Sequence, residues 1–227
     1  MRQGIRSRIT GLLKASHFGP TLIVLTITFL LSLTQFSVPE SSLIAIAIML
    51  GQFVVGWTND LIDFPLDKSA MRFNKPLVAG TITEATLKVG IIFALFSSLI
   101  VSLLSPLGAT GTAIHFLGLL SATAYNLKLK STKLSVVPYV VSFGALPWAV
   151  YKAAETPTPA WLVFGFILIA SAFHFLNVLK DLELDISQNI LGLPQILGRQ
   201  RSIATALLLA FLGILDVAIG ISQGWLT

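Results

Sequence analysis

The chain has 227 residues, of which 55% are hydrophobic and only 11% charged, with a mean hydropathy of +0.86 and a net charge of +5. A soluble domain carries about 25% charged residues, so this sequence cannot cover a water-facing surface and an ordinary soluble fold is excluded. The lack of cysteine excludes disulfides, thiolate catalysis and cysteine-based metal sites.

A bilayer core ~30 Å thick needs about 20 mostly apolar residues per helix. Seven stretches approach that length: 18–34, 43–58, 85–104, 109–125, 135–150, 160–177 and 203–221. Long apolar runs, rather than short alternating segments, predict helices and not a membrane barrel. The expected fold class is all-α: a polytopic transmembrane helical bundle of about seven spans, with residues 1–227 forming a single domain. The basic start (Arg2, Arg6, Arg8, Lys14) gives the first stretch the look of a secretion signal. It has no clear small-x-small cleavage site and six more stretches follow, so it is read as a helix. Threaded with the N-terminus inside, the seven spans put every Lys and Arg except Lys152 on the cytoplasmic side of the cell membrane. This is the positive-inside pattern. The basicity reports orientation, and no nucleic-acid partner is expected.

Along the chain, the second stretch carries Phe53 and Trp57 one helical turn apart, then runs into Asn59-Asp60-Leu61-Ile62-Asp63-Phe64-Pro65-Leu66-Asp67. Spacings of three, four and seven put Asn59 or Asp60, Asp63 and Asp67 on one helix face. Pro65 removes a backbone donor and disfavours helix at Phe64, so a kink or helix end is expected there, with Asp67 reaching in from a turn. Arg72 and Lys75 follow. His115, in the fourth stretch, is read as structural; that stretch ends at Tyr125, with Lys128, Lys130 and Lys133 after it. Pro138, Gly144 and Pro147 in the fifth suit kinks and close helix packing. In the sixth, His174, Asn177 and Asp181 are spaced to share a face, and Lys180, Asp181, Glu183 and Asp185 form a second acidic cluster. Asp181 and Asp185 are one turn apart, and Glu183 points elsewhere. Asp216 lies within the last stretch without an assigned role.

Six of the ten Asp and Glu residues therefore sit in two clusters, each just after an apolar helix and both on one face in this threading. A carboxylate at membrane depth costs about 2.5–3.5 kcal/mol on insertion scales, so grouping several is unfavourable unless cations neutralise them. Mg²⁺ takes oxygen ligands and is commonly held by one or two carboxylates plus substrate phosphate oxygens. Two acidic clusters with Arg72, Lys75, Lys128, Lys130, Lys133 and Lys180 nearby suit a diphosphate bridged by metal ions, the bases contacting oxygens the metals leave over. Ordinary solvated loops, their acids paired with neighbouring lysines, are the plain alternative.

Asn59-Asp60-x-x-Asp63-x-x-x-Asp67 followed by Arg72-Phe73-Asn74-Lys75-Pro76-Leu77-Val78-Ala79-Gly80 resembles the first signature of the UbiA-type membrane prenyltransferases. Asp181-x-x-x-Asp185 with Gly192-Leu193-Pro194-Gln195-Ile196-Leu197-Gly198 is similar to the second, and Tyr125-Asn126-Leu127-Lys128 resembles the tyrosine and basic residue after the family's fourth helix. The likeness runs over about residues 14–200, and the wording of both loops is similar to that of bacterial, in particular actinobacterial, members. It implies a helical bundle with a central cavity roofed by the aspartate loops, and an enzyme that ionises a prenyl diphosphate with Mg²⁺ and transfers the prenyl group. The acceptor would be an aromatic ring, a quinone precursor or a lipid. Asp63, Asp181 and Asp185 are the expected catalytic residues; the candidate metal ligands are Asn59, Asp60, Asp63, Asp67, Asp181 and Asp185, with Asp60 and Asp67 in support. Arg72, Lys75, Lys128 and Lys180 are the expected diphosphate contacts. Phe53, Trp57, Tyr125, His174 and Asn177 are the candidate cavity residues, and His17 a candidate contact to the acceptor or an interface residue. The family's usual nine transmembrane helices exceed the stretches here by two, and a homo-oligomer or partner is one way to complete the channel wall. Two rival readings are a membrane terpene cyclase with the same metal site and, from another class, a cation transporter or non-catalytic membrane protein. The transporter is disfavoured because no chain of ionisable groups crosses the bilayer.

Overall fold

The computed structural model describes residues 4–223, and its regular elements are all helical. The described chain divides at Gly108 into two compact units.

The first unit holds α1 (Ile5–Ala15), α2 (Phe18–Ser32), α3 (Val38–Ser69) and α4 (Glu84–Leu104). α1 was not anticipated as a separate element: it is short, basic and amphipathic rather than apolar. It meets α2 at 69°, the chain turning at Ser16 and at His17, whose φ of 53° lies in the left-handed region. Ser37 and Glu40 form a capping box at the start of α3, with Ser37 N donating to Glu40 Oε2 at 3.0 Å. The helix then runs 32 residues through Pro65 to Ser69. The helix end, one expectation at Pro65, is therefore corrected, and Asp67 stands on the helix rather than in a turn. Proline costs the helix one backbone donor; here Asp67 beyond it is buried and tied to Arg72, which holds the last turn in place. α4 starts at an N-cap, Thr83 Oγ1 accepting from Thr86 N at 3.1 Å. Both α2 and α4 pack along α3.

The second unit comprises α5 (Gly108–Leu127), a 3-10 turn (Leu129–Ser131), α6 (Val137–Ala153), α7 (Ala160–Val178), α8 (Leu182–Ser187) and α9 (Leu193–Ser222). α7 packs on α6 and, most extensively, on α9. The α7–α9 contact depends on glycine: a Cβ on Gly220 would lie 2.2 Å from the Trp161 indole, and one on Gly213 2.8 Å from Ile169. α9 is broken at Gly198, where φ 77° and ψ 169° suit a residue with no Cβ.

Each of the seven apolar stretches falls on one of the long helices. By length and composition α3, α4, α7 and α9 can cross a membrane, and the bent α1–α2 pair makes five if it counts as one span. The expected seven would need α5 and α6 as well. Glycine, threonine, serine and His115 dilute α5, and α6 is only 17 residues long.

Large apolar residues cover the outside as well as the core, unlike in a water-soluble bundle. On α4 the outward residues are Val89, Ile92, Phe93, Phe96, Ile100 and Leu104. Thr28, Ser32, Ser98 and Ser102 are fully buried, and Ser98 Oγ donates to the Ala47 carbonyl at 2.9 Å, joining α4 to α3. Small polar residues inside and large apolar residues outside are the arrangement expected where lipid is the solvent.

Candidate active site

The first acidic cluster lies on the last three turns of α3 and the turns that follow it. Asp60 is the most enclosed of its acids, with its side chain 2% exposed. Its Oδ1 accepts Lys75 Nζ at 2.6 Å and the ring N–H of His17 Nε2 at 3.0 Å. Asp67, also buried, pairs with Arg72 Nη1 at 3.1 Å. Arg72 and Lys75 can reach back because the chain reverses after α3: Arg72 N donates to the Asp67 carbonyl, and Lys75 N to that of Arg72, both at 2.9 Å. Asn59 and Asp63 are half-buried, and Asn59 Nδ2 donates to Asp63 Oδ2 at 2.8 Å. An amide that donates through nitrogen keeps its oxygen as an acceptor.

Phe53 and Trp57 stack with ring centroids 5.3 Å apart. Trp57 is buried, its Nε1 donates to the Leu12 carbonyl at 2.9 Å, and its ring lies against Gly90. Its visible role is to join α1, α3 and α4.

The second cluster is built differently from the helix the spacing suggested. α7 stops at Val178, and Asp181 is the N-cap residue of the short α8. His174 and Asn177 are thus on α7 while Asp181 begins a new helix, so the shared face expected for the three is corrected. Asp181 and Asp185 remain one turn apart, on α8, with Asp185 N donating to the Asp181 carbonyl at 2.8 Å. Asp185 Oδ2 also accepts from Gln195 Nε2 at 2.8 Å. Lys180 bonds Asn177 Oδ1 at 3.0 Å, and with Asp181, Glu183, Leu184 and Arg199 it lines an open recess of about 340 Å³. Lys128 is exposed between α5 and the 3-10 turn.

His174 is 1% exposed and sits in an aromatic box, its ring 4.5 Å from that of Tyr139 and 5.7 Å from that of Tyr125. Its Nε2 lies 3.2 Å from Ser135 Oγ, which also accepts Leu193 N at 2.9 Å. Ser135 thereby links His174 to the first turn of α9, which carries Gln195. Ser135 and Gln195 were missed as contributors; Gln195 stands inside the second motif, but nothing in the sequence pairs it with Asp185. His17 was singled out, though not its bond to Asp60.

Among the described residues no three His, Asp or Glu side chains form a metal cage by themselves. An ion that completes its shell from water and phosphate oxygens needs only one or two protein carboxylates. Asn59 with Asp63, and Asp181 with Asp185, are oxygen-donor pairs of that kind.

A family model described as the UbiA prenyltransferase family matches residues 19–227. No curated protein sequence matches the chain. Among solved structures, the fold is similar to that of a UbiA homolog from Archaeoglobus fulgidus bound to DMAPP and Mg²⁺, with TM-score 0.77 and 15% identity, covering 92% of this chain and 76% of the other. The same homolog bound to GPP and Mg²⁺ gives TM-score 0.75 at 15% identity, covering 92% and 77%. A digeranylgeranylglyceryl phosphate synthase structure gives 0.69 at 17% identity, covering 96% and 78%.

Proposed function

The chain belongs to the UbiA prenyltransferase family, and from that premise we propose that its acidic clusters bind a prenyl diphosphate together with Mg²⁺ and that the prenyl group passes to an aromatic, quinone-precursor or lipid acceptor. Within the first unit Asn59 and Asp63 are the metal ligands and Arg72 and Lys75 the contacts to phosphate oxygens; within the second unit Asp181 and Asp185 are the metal ligands and Lys128 and Lys180 the phosphate contacts. When bound, Mg²⁺ neutralises charge developing on the departing diphosphate. The chain's own bases add fixed positive charge at the same atoms, where preorganised electrostatics contribute most. Loss of diphosphate leaves an allylic cation, which alkylates the acceptor's nucleophilic atom while a proton leaves the acceptor. Phe53 and Trp57 in the first unit, and separately Tyr125, His174 and Asn177 in the second, are the candidate cavity residues.

The observation that carries this reading is the set of bonded carboxylates around the end of α3: Asp63 with the Asn59 amide, and Asp60 and Asp67 with the bases Lys75 and Arg72. Solvated loop residues do not bury two carboxylates to this extent. The A. fulgidus homolog of the same fold, bound to DMAPP or GPP with Mg²⁺, supports the ligand class. In this reading the protein lies in the cell membrane as one functional domain with its acidic clusters on the cytoplasmic side; the seven-span threading of the sequence, which leaves every Lys and Arg but Lys152 on that side, supports it.

The test is product analysis with labelled geranyl diphosphate and purified protein in lipid, with and without an acceptor-containing membrane extract. A labelled adduct that needs both Mg²⁺ and the extract supports transfer. A cyclised hydrocarbon formed without extract replaces transfer with terpene cyclisation. A metal flux with no product replaces both with transport.

A further inference from the structure

The carboxylates of the first cluster fall on two tracks along α3. Asp60 and Asp67, seven residues apart, lie on nearly the same line of the helix; both are buried and each is paired with a base from the following turns. Asn59 and Asp63, four apart, lie beside that line; both are only half-buried, and they bond each other. The first track is also fastened to the α1–α2 turn. A Cβ on Gly56 would lie 2.7 Å from the Ser16 carbonyl oxygen, Trp57 Nε1 bonds the Leu12 carbonyl, and His17 Nε2 bonds Asp60. Three chain segments thus converge on Asp60 Oδ1: α3 itself, the α1–α2 turn through His17, and the post-helix turns through Lys75.

We infer that Asp60 is a positioning residue rather than a metal ligand: with His17 it fixes the Lys75 ammonium where a diphosphate oxygen binds, and it leaves metal ligation to Asn59 and Asp63. The inference rests on the magnesium–diphosphate reading above and divides its acids by role. An ammonium on a flexible four-carbon stem is a poorly placed point charge unless something holds it. A carboxylate 2.6 Å away, itself held by a second donor and 2% exposed, does so. Both donors sit on Oδ1, and the side chain as a whole offers a metal ion and its waters almost no open surface. Asp67 stands to Arg72 as Asp60 stands to Lys75.

The experiment uses the full chain in lipid nanodiscs and reads binding of inorganic diphosphate, with a Mg²⁺ titration of that binding, so it does not depend on turnover. Asp60→Asn keeps an acceptor oxygen but loses the charge. It is expected to weaken diphosphate binding at saturating Mg²⁺ by roughly tenfold or more, the scale of one charge-assisted hydrogen bond, while leaving the Mg²⁺ midpoint unmoved. Asp63→Asn is expected to raise that midpoint by roughly tenfold or more, as loss of a ligand does. Lys75→Met should reproduce the Asp60→Asn loss, and the double variant should lose little more than either single one, because the pair acts as one unit. Asp60→Asn shifting the Mg²⁺ midpoint as Asp63→Asn does, or leaving diphosphate affinity unchanged, overturns the inference. Asp63→Asn leaving the midpoint unmoved would sink the magnesium reading instead, and the coupling between Asp60 and Lys75 then decides the positioning role alone. Should Asp60→Asn fail to fold, His17→Gln and Lys75→Met carry the same comparison.

Discussion

Replacing Gly56 by alanine perturbs the junction between α3 and the α1–α2 turn without touching a charged group. The new methyl carbon would lie 2.7 Å from the Ser16 carbonyl oxygen, 2.8 Å from its carbonyl carbon and 3.0 Å from its Cα. All three are backbone atoms, so no side-chain rotation relieves the overlap. Ordinary carbon contacts lie at about 3.5–4.0 Å, and the turn must therefore retreat by roughly 0.5–1 Å. Overpacking of this kind costs about 1–3 kcal/mol. The retreat carries away His17, whose bond to Asp60 is 3.0 Å long and weakens steeply with distance and angle. Thermal unfolding in nanodiscs should show a Tm lower by several degrees, and diphosphate affinity should fall in the same variant. Gly19→Ala is the control: a Cβ there meets nothing within 4 Å, and alanine is favoured in a helix by about 0.5–1 kcal/mol. Gly56→Ala unfolding at the same temperature as Gly19→Ala and binding diphosphate normally would refute the close approach of α3 to this turn.

Two further outcomes follow from buried groups in the second unit. Asp216 Oδ2 is enclosed at the α7–α9 contact without a hydrogen-bond partner among the described residues. Asp216→Val should therefore raise stability by about 1–2 kcal/mol, removing an unsatisfied polar atom; a lower Tm would reveal a polar partner for it. Gln195 donates to Asp185 Oδ2 at 2.8 Å, so Gln195→Leu should raise the Mg²⁺ requirement of diphosphate binding roughly tenfold, as losing a group that orients a ligand does. Gln195→Glu, which adds a like charge beside Asp185, should raise it further, and wild-type behaviour of both variants would deny Asp185 a place at the metal.

Much of the architecture was legible because lipid-facing helices are written in composition. The seven apolar stretches all lie on the long helices, and both acidic clusters fall where such helices end or just beyond. What escaped was set by tertiary contacts or by short range. α1 has 11 residues and a basic, amphipathic sequence, so a hydropathy reading passes over it. Pro65 is a sound local signal for a break, yet α3 continues because Asp60 and Asp67 on either side of it are anchored by Lys75 and Arg72. The break between Asn177 and Asp181 leaves no proline or glycine in the sequence to announce it. In the candidate site the types of residue were evident from charge alone. Their partners were not: His17 meets Asp60 across 43 positions and Ser135 meets His174 across 39, separations that no spacing rule reads.

The most direct measurement of the central claim is release of diphosphate from labelled geranyl, farnesyl and geranylgeranyl diphosphates by the purified protein in lipid, with Mg²⁺ or with a chelator, for the wild type and for Asp63→Ala. The expected result is release by the wild type with at least one of the three, lost on chelation, restored by added Mg²⁺, and reduced by roughly a thousandfold in Asp63→Ala, a few kcal/mol of transition-state stabilisation. Release that persists with chelator present, or an Asp63→Ala variant that folds and releases diphosphate at the wild-type rate, would contradict it.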